Sequence, residues 1–173
     1  MSFNFWRVAP GENAEFWVDS ASGNFIALEL GFFLVRLSKK EREEALNVVN
    51  QNDFVEKYKN NFRDKEQEAI QLWYFLHEIK EGDIVIANKG KERVIGAGIV
   101  ESDVYIKEHE YFPIRREVFW ILKDINIPVP KELKSKFEKI VEKLTANDIE
   151  KLHIREHTEN YLKRINEFLN KLP

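Results

Sequence analysis

Cysteine is absent from this 173-residue chain, which removes disulfides, thiolate nucleophiles and every cysteine-containing zinc site. A reducing, cytoplasmic setting is the natural expectation. No run of eighteen apolar residues occurs, and no Lys/Arg-led apolar stretch opens the chain, so neither a membrane span nor a secretory leader is expected. There is also no basic excess. The formal net charge is −3, whereas proteins that hold a duplex mainly by neutralising phosphates carry a clear surplus of Lys and Arg. Any affinity for nucleic acid must then come from a local basic patch, from a pocket that captures a base, or from other domains. Phosphate loops are missing as well: Asn88-Lys89-Gly90-Lys91 lacks the Walker spacing, and Gly96-Ala97-Gly98 lacks the helix that follows a dinucleotide fingerprint. Nucleotide hydrolysis and a bound cofactor are therefore not expected, and the chain reads as non-enzymatic.

What is present is aromatic and charged. Thirteen Phe, five Tyr and four Trp exceed what a core of this size needs, so some rings are expected to take part in recognition. Charged residues make up 33%, led by Lys and Glu, a composition seen in proteins from hot environments such as those of thermophilic archaea.

Along the chain, Phe3 to Val8 reads as a first strand stopped by Ala9-Pro10-Gly11. A short helix follows, opened by Glu12 or Asn13, with Phe16 and Trp17 on its apolar side. Phe25 to Leu30 reads as a buried strand running into the apolar segment Gly31-Phe32-Phe33-Leu34-Val35. Ser38 and Glu41 form a capping-box pattern for a helix over Lys39 to Asn50, with Ala45, Leu46 and Val49 inward. Asp64 to Lys80 carries Ile70, Trp73, Leu76 and Ile79 at helical spacing. Ile84 to Ala87 and Val94 to Val100 make a hairpin, and Gly96 and Gly98 mark a close approach by a ligand or a packed helix. Val118 to Leu122 reads as one more strand, after which helices are expected over Lys131 to Leu144 and Asn147 to Leu172. The whole is α+β, a curved and mostly antiparallel sheet with helices outside it.

His153-Ile154-Arg155-Glu156-His157 matches the H-x-x-E-H pattern of inverted zinc peptidases. Two histidines four apart share a helix face, and Glu156 would be the base. The surroundings are those of a Lys/Glu-rich surface helix without a downstream third ligand, so no metal is expected.

The ordered set Phe5-Trp6-Arg7-Val8-Ala9-Pro10-Gly11-Glu12-Asn13-Ala14, Phe25-Ile26-Ala27-Leu28, Leu72-Trp73-Tyr74-Phe75, Ile79 to Val85, Asn88-Lys89-Gly90, Val94 to Val100 and Arg115 to Trp120 resembles the EVE/YTH-like domains of the PUA superfamily found at the front of archaeal McrB-type restriction GTPases. The resemblance implies a PUA-like barrel over residues 1–124, with residues 125–173 a C-terminal helical extension or linker. It also implies capture of a flipped base, N6-methyladenine first, in an aromatic cage. Its partners would be methylated DNA or RNA, a downstream GTPase domain and a nuclease subunit, the motor lying outside these residues. By the same resemblance Asn13 is the polar base reader, its alternative being a helix N-cap. Trp6, Trp17, Phe25, Phe32 and Phe33 are the cage candidates, each with a core role as its alternative. Lys89, Lys91 and Arg93 on the hairpin, with Arg115 and Arg116 before the last strand, are the candidates for phosphate contacts. A protein-interaction module is the remaining alternative.

Overall fold

The computed structural model describes residues 3–108, 110, 112–159 and 163, with Asp124 described by its backbone alone. Among these described residues seven strands form one curled, mixed half-barrel sheet with helices around it, an α+β architecture. They are β1 (Phe5–Val8), β2 (Phe25–Ala27), β3 (Ile84–Lys89), β4 (Arg93–Val100), β5 (Tyr105–Ile106), β6 (Ile114–Pro128) and β7 (Val141–Leu144). Their order is β2-β6-β4-β3-β1-β7, with β5 also on β6. Among the described residues only β1 and β3 pair in parallel, joined through the helices between them; the other pairs are antiparallel.

Around β1 and β3 the sheet is buried on both faces, and alternation decides which residue serves which. Trp6 and Val8 of β1, with Val85 and Ala87 of β3, point into the larger core beneath the helices. Phe5 and Ile84 and Ile86 point the other way, into a second core completed by Ile127, Val129, Leu133, Phe137, Leu144, Leu152 and Ile154. Arg7 shares the parity of this second face.

The helices between β1 and β3 are α1 (Trp17–Gly23), α2 (Phe32–Arg36), α3 (Lys39–Leu46), α4 (Gln51–Tyr58) and α5 (Lys65–Trp73), the last running on as a π turn over Tyr74–Glu78. The Ser38/Glu41 capping box is present. Helix α3 ends at Leu46, so Val49, expected inward, is 91% exposed. The polar stretch after it hides α4, capped by Asn50, whose side chain accepts from Asp53 N at 2.9 Å; Phe54, Val55 and Tyr58 supply its buried stripe. Strand β2 stops at Ala27, and the apolar Gly31–Val35 segment coils as a 3-10 turn and α2 rather than extending. Gly96 receives the packed element of the two expected there: a Cβ on it would collide with the ring of Trp17 from α1.

The largest correction concerns the C-terminal third. Strand β6 has 15 residues, not the five of Val118 to Leu122, and the division expected at residue 124 falls inside it. Lys131 to Leu144 is not a helix: a 3-10 stretch over Lys131–Phe137 leads into β7, which pairs antiparallel with β1. The physical reason is the free edge of β1. Its N–H and C=O groups on that side need partners, and β7 supplies them in the register Phe5↔Leu144 to Val8↔Val141. Helix α6 (Ala146–Lys151) follows under a Thr145/Asp148 capping box. It breaks at His153, which has φ 51, and the chain is helical again over 154–159. The rest of the helix expected up to Leu172 lies outside the described residues, apart from a helical Lys163. No helix among the described residues is long and apolar enough to cross a membrane.

Candidate functional site

Where β1 ends, the chain must leave the sheet and turn back into α1 within a few residues. It does so with three of four consecutive residues at positive φ: Gly11 at 80°, Asn13 at 52° and Ala14 at 63°. Gly11 is required twice over, by its φ and because a Cβ would overlap the Phe16 ring. The left-handed conformation of a non-glycine such as Ala14 is sparsely populated and is kept only where surrounding structure enforces it, often beside a ligand site. The turn is not a capped helix start, since neither Asn13 nor Glu12 caps a helix through its side chain.

This turn forms one wall of a cavity of about 470 Å³, within the range of small-molecule pockets. Arg7 lines it from β1, Ala9 from just after that strand, Gly11, Glu12 and Asn13 from the turn, and Glu29 from the segment after β2. Asn88, Gly90 and Lys91 line it from the β3–β4 hairpin, and Phe137, Glu138, Lys139 and Ile140 from the approach to β7. The C-terminal segment, expected as an appendage, is therefore a wall of this cavity.

Arg7 is 2% exposed. Its Nε donates to Asn88 Oδ1 at 2.9 Å and its Nη2 to the Phe137 carbonyl at 2.9 Å, with the Phe137 ring centred 5.6 Å from the guanidinium carbon. Nη1 is buried and has no hydrogen-bond partner among the described residues. Burial lowers the Arg7 pKa to about 9, opposed by the charge of Glu142, its cross-strand neighbour on β7. That carboxylate is ion-paired to Lys139 at 2.8 Å. Asn88 is fully buried. Alternation along β3 puts Asn88 on the same face as Ile86 and Arg7, just past the point where the β3–β4 register shifts. Asn88 Nδ2 then donates to the Gly90 carbonyl, which fixes the amide orientation that meets Arg7.

Of the sequence-derived site residues, this cavity gathers Asn13 and Lys91. Asn13 is exposed on the rim. Lys91 is ion-paired with Glu138 at 3.1 Å, while Lys89 and Arg93 are exposed at either side of the hairpin tip. The aromatic candidates lie elsewhere. Trp6 is 1% exposed and donates its indole N–H to Asp83 Oδ2 at 2.8 Å. Trp17 packs edge-on to Trp120 at 4.9 Å, and Phe33 edge-on to Phe62 at 5.1 Å; all belong to the larger core. Phe25 and Phe32 join a third cluster with Phe16 and Phe112. Phe25 helps line a separate cavity of about 350 Å³ with Asp19, Glu110 and Arg115.

Arg115 and Arg116 are not free surface cations. Both lie in β6, 7% and 1% exposed. Arg115 stacks over Phe25 at 4.2 Å and donates to the Phe112 carbonyl and Glu110. Arg116 donates to the carbonyls of Phe75 at 3.0 Å, Leu76 at 3.0 Å and Ser102 at 3.1 Å. His153 contacts Glu156 at 3.0 Å, both side chains exposed, and no group of three or more His, Cys, Asp or Glu among the described residues is arranged to hold a metal ion.

Sequence reasoning missed Arg7, Asn88 and Phe137. The one available signal was alternation, which sets Arg7 opposite Trp6 and Val8; nothing in it reveals that Phe137 covers that face.

The sequence profile of a domain of unknown function, DUF8426, matches residues 6–145, a span that includes β7. No curated protein matches the chain. Among solved structures, it is similar to a hypothetical protein from Leishmania major, at 18% identity and a TM-score of 0.45, over 93% of this chain and 98% of that one. It is also similar to a protein from Rhodopseudomonas palustris determined by NMR, at 12% identity and a TM-score of 0.40, over 85% of this chain and 88% of that one.

Proposed function

The chain belongs to the DUF8426 family of domains of unknown function, and we propose that it is a nucleic-acid reader that captures a single flipped base in the cavity at the end of β1. The observation that carries this reading is the convergence of Arg7, Asn13 and Asn88 on one cavity of about 470 Å³. Polar groups on a partly apolar wall, Arg7 and Asn88 held by hydrogen bonds and Asn13 exposed at the rim, suit a flat heterocycle with hydrogen-bonding edges. Ala9, Phe137 and Ile140 supply the apolar wall against which a base methyl group gains by burial. The resemblance to McrB-type recognition domains makes methylated DNA the leading target and N6-methyladenine the first base to test. On this reading the chain supplies target choice to a GTP-driven cleavage complex.

On this reading the cavity is a binding site, its lining among the described residues holding no Ser, Thr, Cys or His. Exposed Lys89, Lys91 and Arg93 on the hairpin would meet the backbone of the captured strand.

The test is binding of matched duplexes carrying adenine, N6-methyladenine, cytosine or 5-methylcytosine at one moderate salt concentration, with Asn13→Ala and Phe137→Leu proteins alongside. Selective binding of one modified duplex, weakened by either substitution, is the expected result. Equal or absent binding across the four, with tight binding to the matching single-stranded RNA, would replace methylated DNA by RNA as the target.

A further inference from the structure

The C-terminal layer that closes the second core stops one row of residues short. Across the strands, Arg7 pairs with Ile86, Ile86 with Ala97 and Ala97 with Leu122, and all four are buried, at 2%, 1%, 6% and 2% exposure. The last three sit in the second core with Leu133, Phe137 and Leu152, and Arg7 is held by the Phe137 carbonyl. Two residues back along β1 and β3 the same face is open. Phe5 pairs with Ile84, Ile84 with Ile99 and Ile99 with Phe119. Register partners in a sheet point to the same side, so these residues form one apolar row across β1, β3, β4 and β6. Phe119 is 57% exposed, while Phe5, Ile84 and Ile99 are half-buried. Phe3, 53% exposed, extends the row by packing edge-on against Phe5 at 5.4 Å. Single apolar side chains are ordinary on a surface; a contiguous row with an exposed phenylalanine at each end is the kind of patch that marks an interaction site.

The border of the row restricts the partner. Alternation carries this face on to Glu101, two residues past Ile99, and Glu117, two before Phe119, and Glu101 N donates to the Glu117 carbonyl at 2.8 Å. Gly82 N donates to the Val100 carbonyl at 2.8 Å, which brings the turn holding Glu81 to the same border. These three carboxylates are exposed and make no ion pair among the described residues; they are opposed in that turn by Lys80. A nucleic-acid backbone is repelled there, and a second copy of the face brings the same carboxylates again. The row crosses strands that are already paired, so a partner cannot join it as an added strand. From β1 to β6 it spans about 14 Å at the ~4.8 Å spacing of strands. Apolar positions i, i+4, i+7 and i+11 of a helix span about 16 Å, so a short helix laid across the strands matches its length.

We propose that this row is a docking face for an amphipathic protein helix whose apolar stripe is flanked by Lys or Arg. The stripe covers Phe3, Phe5, Ile84, Ile99 and Phe119, and the cations meet Glu81, Glu101 and Glu117. The face lies where β3 begins, at Ile84, whereas the cavity and the basic hairpin lie where β3 ends, at Asn88 and beyond. A helix and a nucleic acid are therefore held at opposite ends of the same strands and do not compete. The inference stands apart from base capture and assigns the molecule a second, protein-facing surface.

The experiment uses the full chain labelled with nitrogen-15 and synthetic peptides of about 18 residues, or five helical turns. One carries Leu along a single helical face with Lys on both flanks, one has Glu in place of Lys, and one keeps the Lys composition with its Leu scattered around the helix. The first peptide is expected to bind and to shift the amide resonances of Phe5, Ile84, Ile99 and Phe119 while leaving Asn13 and Lys91 unmoved. The other two should bind roughly tenfold more weakly or less well still. Phe119→Ser should weaken the first peptide by roughly tenfold, and Glu101→Gln with Glu117→Gln should flatten the salt dependence of its binding. Phe3→Ser is the second variant should Phe119→Ser fail to fold, and the resonance map of the unmodified protein needs neither. Equal binding of the three peptides, shifts away from the row, or no binding by any peptide would overturn the proposal. So would a dimer in sedimentation that Phe119→Ser dissociates, since the row is then a contact between copies. None of these outcomes touches base capture, which the duplex and RNA panel decides by itself.

Discussion

Trp6 and Asp83 are 77 residues apart in sequence and joined by a 2.8 Å hydrogen bond from the indole N–H to Oδ2. The same carboxylate accepts from Asn4 N at 2.8 Å and Lys80 N at 3.1 Å, and from the Asn4 side chain at 3.2 Å. One buried side chain thus fastens the entry of β1 to the turn before β3, its parallel partner. Asp83→Ala leaves several N–H groups without acceptors and should destabilise the fold by about 3 kcal/mol. Urea denaturation followed by tryptophan fluorescence measures this; a change below about 1 kcal/mol would mean that water replaces the carboxylate freely.

Gly96 is the contact point of α1 on the sheet. Any Cβ there meets the Trp17 ring, which is itself lodged against Trp120. Gly96→Val should lower stability by about 1–3 kcal/mol through overpacking, and the near-ultraviolet dichroism of the two indoles should change with it. An unchanged spectrum and melting point would show that α1 slides to make room.

His77 stacks on Trp73 at 4.0 Å and lies near Phe54, with Nε2 buried and unpaired among the described residues. Burial lowers its pKa from the ordinary 6.5, helped by the charges of Lys80 and Arg116 and opposed by an Ala45 backbone hydrogen bond and Glu78. The folded state prefers the neutral ring. Its contribution is therefore complete above about 6.5, the ordinary value, and is lost as pH falls below it toward the folded pKa. Denaturation midpoints at pH 8 and pH 5 should differ, and His77→Gln should remove part of that difference. Parallel pH profiles for the two proteins would assign the acid sensitivity to other groups.

Arg116 and the hairpin lysines should separate stability from binding. Arg116→Met strips the donors from three carbonyls. It should destabilise by about 3–5 kcal/mol and leave the salt dependence of nucleic-acid binding unaltered. Burial already brings the Arg116 pKa down to about 10. Lys89→Ala and Lys91→Ala should leave the melting point nearly unchanged and each reduce the slope of log affinity against log salt by about 1. The reverse pattern would mean that the basic contacts lie inside β6 rather than on the hairpin.

Local signals were legible where short-range chemistry decides the structure. The Ser38/Glu41 box, the Asp64 to Ile79 stripe and the turn between β3 and β4 needed no distant partner. Alternation in Phe5-Trp6-Arg7-Val8 gave the strand and its two faces. Signals failed where a distant segment completes an element. Lys131 to Leu144 is charged enough to suit a surface helix, yet the edge of β1 draws its last residues into β7. Helix α4 was obscured because Gln51, Asn52 and Asp53 precede its buried Phe54, Val55 and Tyr58. The resemblance makes Trp6, Trp17 and Phe25 cage candidates with core roles as the alternative, because aromatic content carries no mark of whether a ring faces core or cavity; Trp6 and Trp17 lie in the larger core, whereas Phe25 lines the cavity beside Arg115.

The sequence by itself determined the class of molecule. It is a cysteine-free, slightly acidic α+β chain without phosphate loops, whose caps, turns and apolar periods place most of its helices and strands. Only the tertiary structure decided that Arg7, Asn13, Asn88 and Phe137 share a cavity. Those residues come from one end of β1, a left-handed turn, a bulged strand and a segment 130 residues from Arg7. Propensity and periodicity act over one or two turns of chain, whereas a pocket is made by strand order and by which buried face each side chain must occupy.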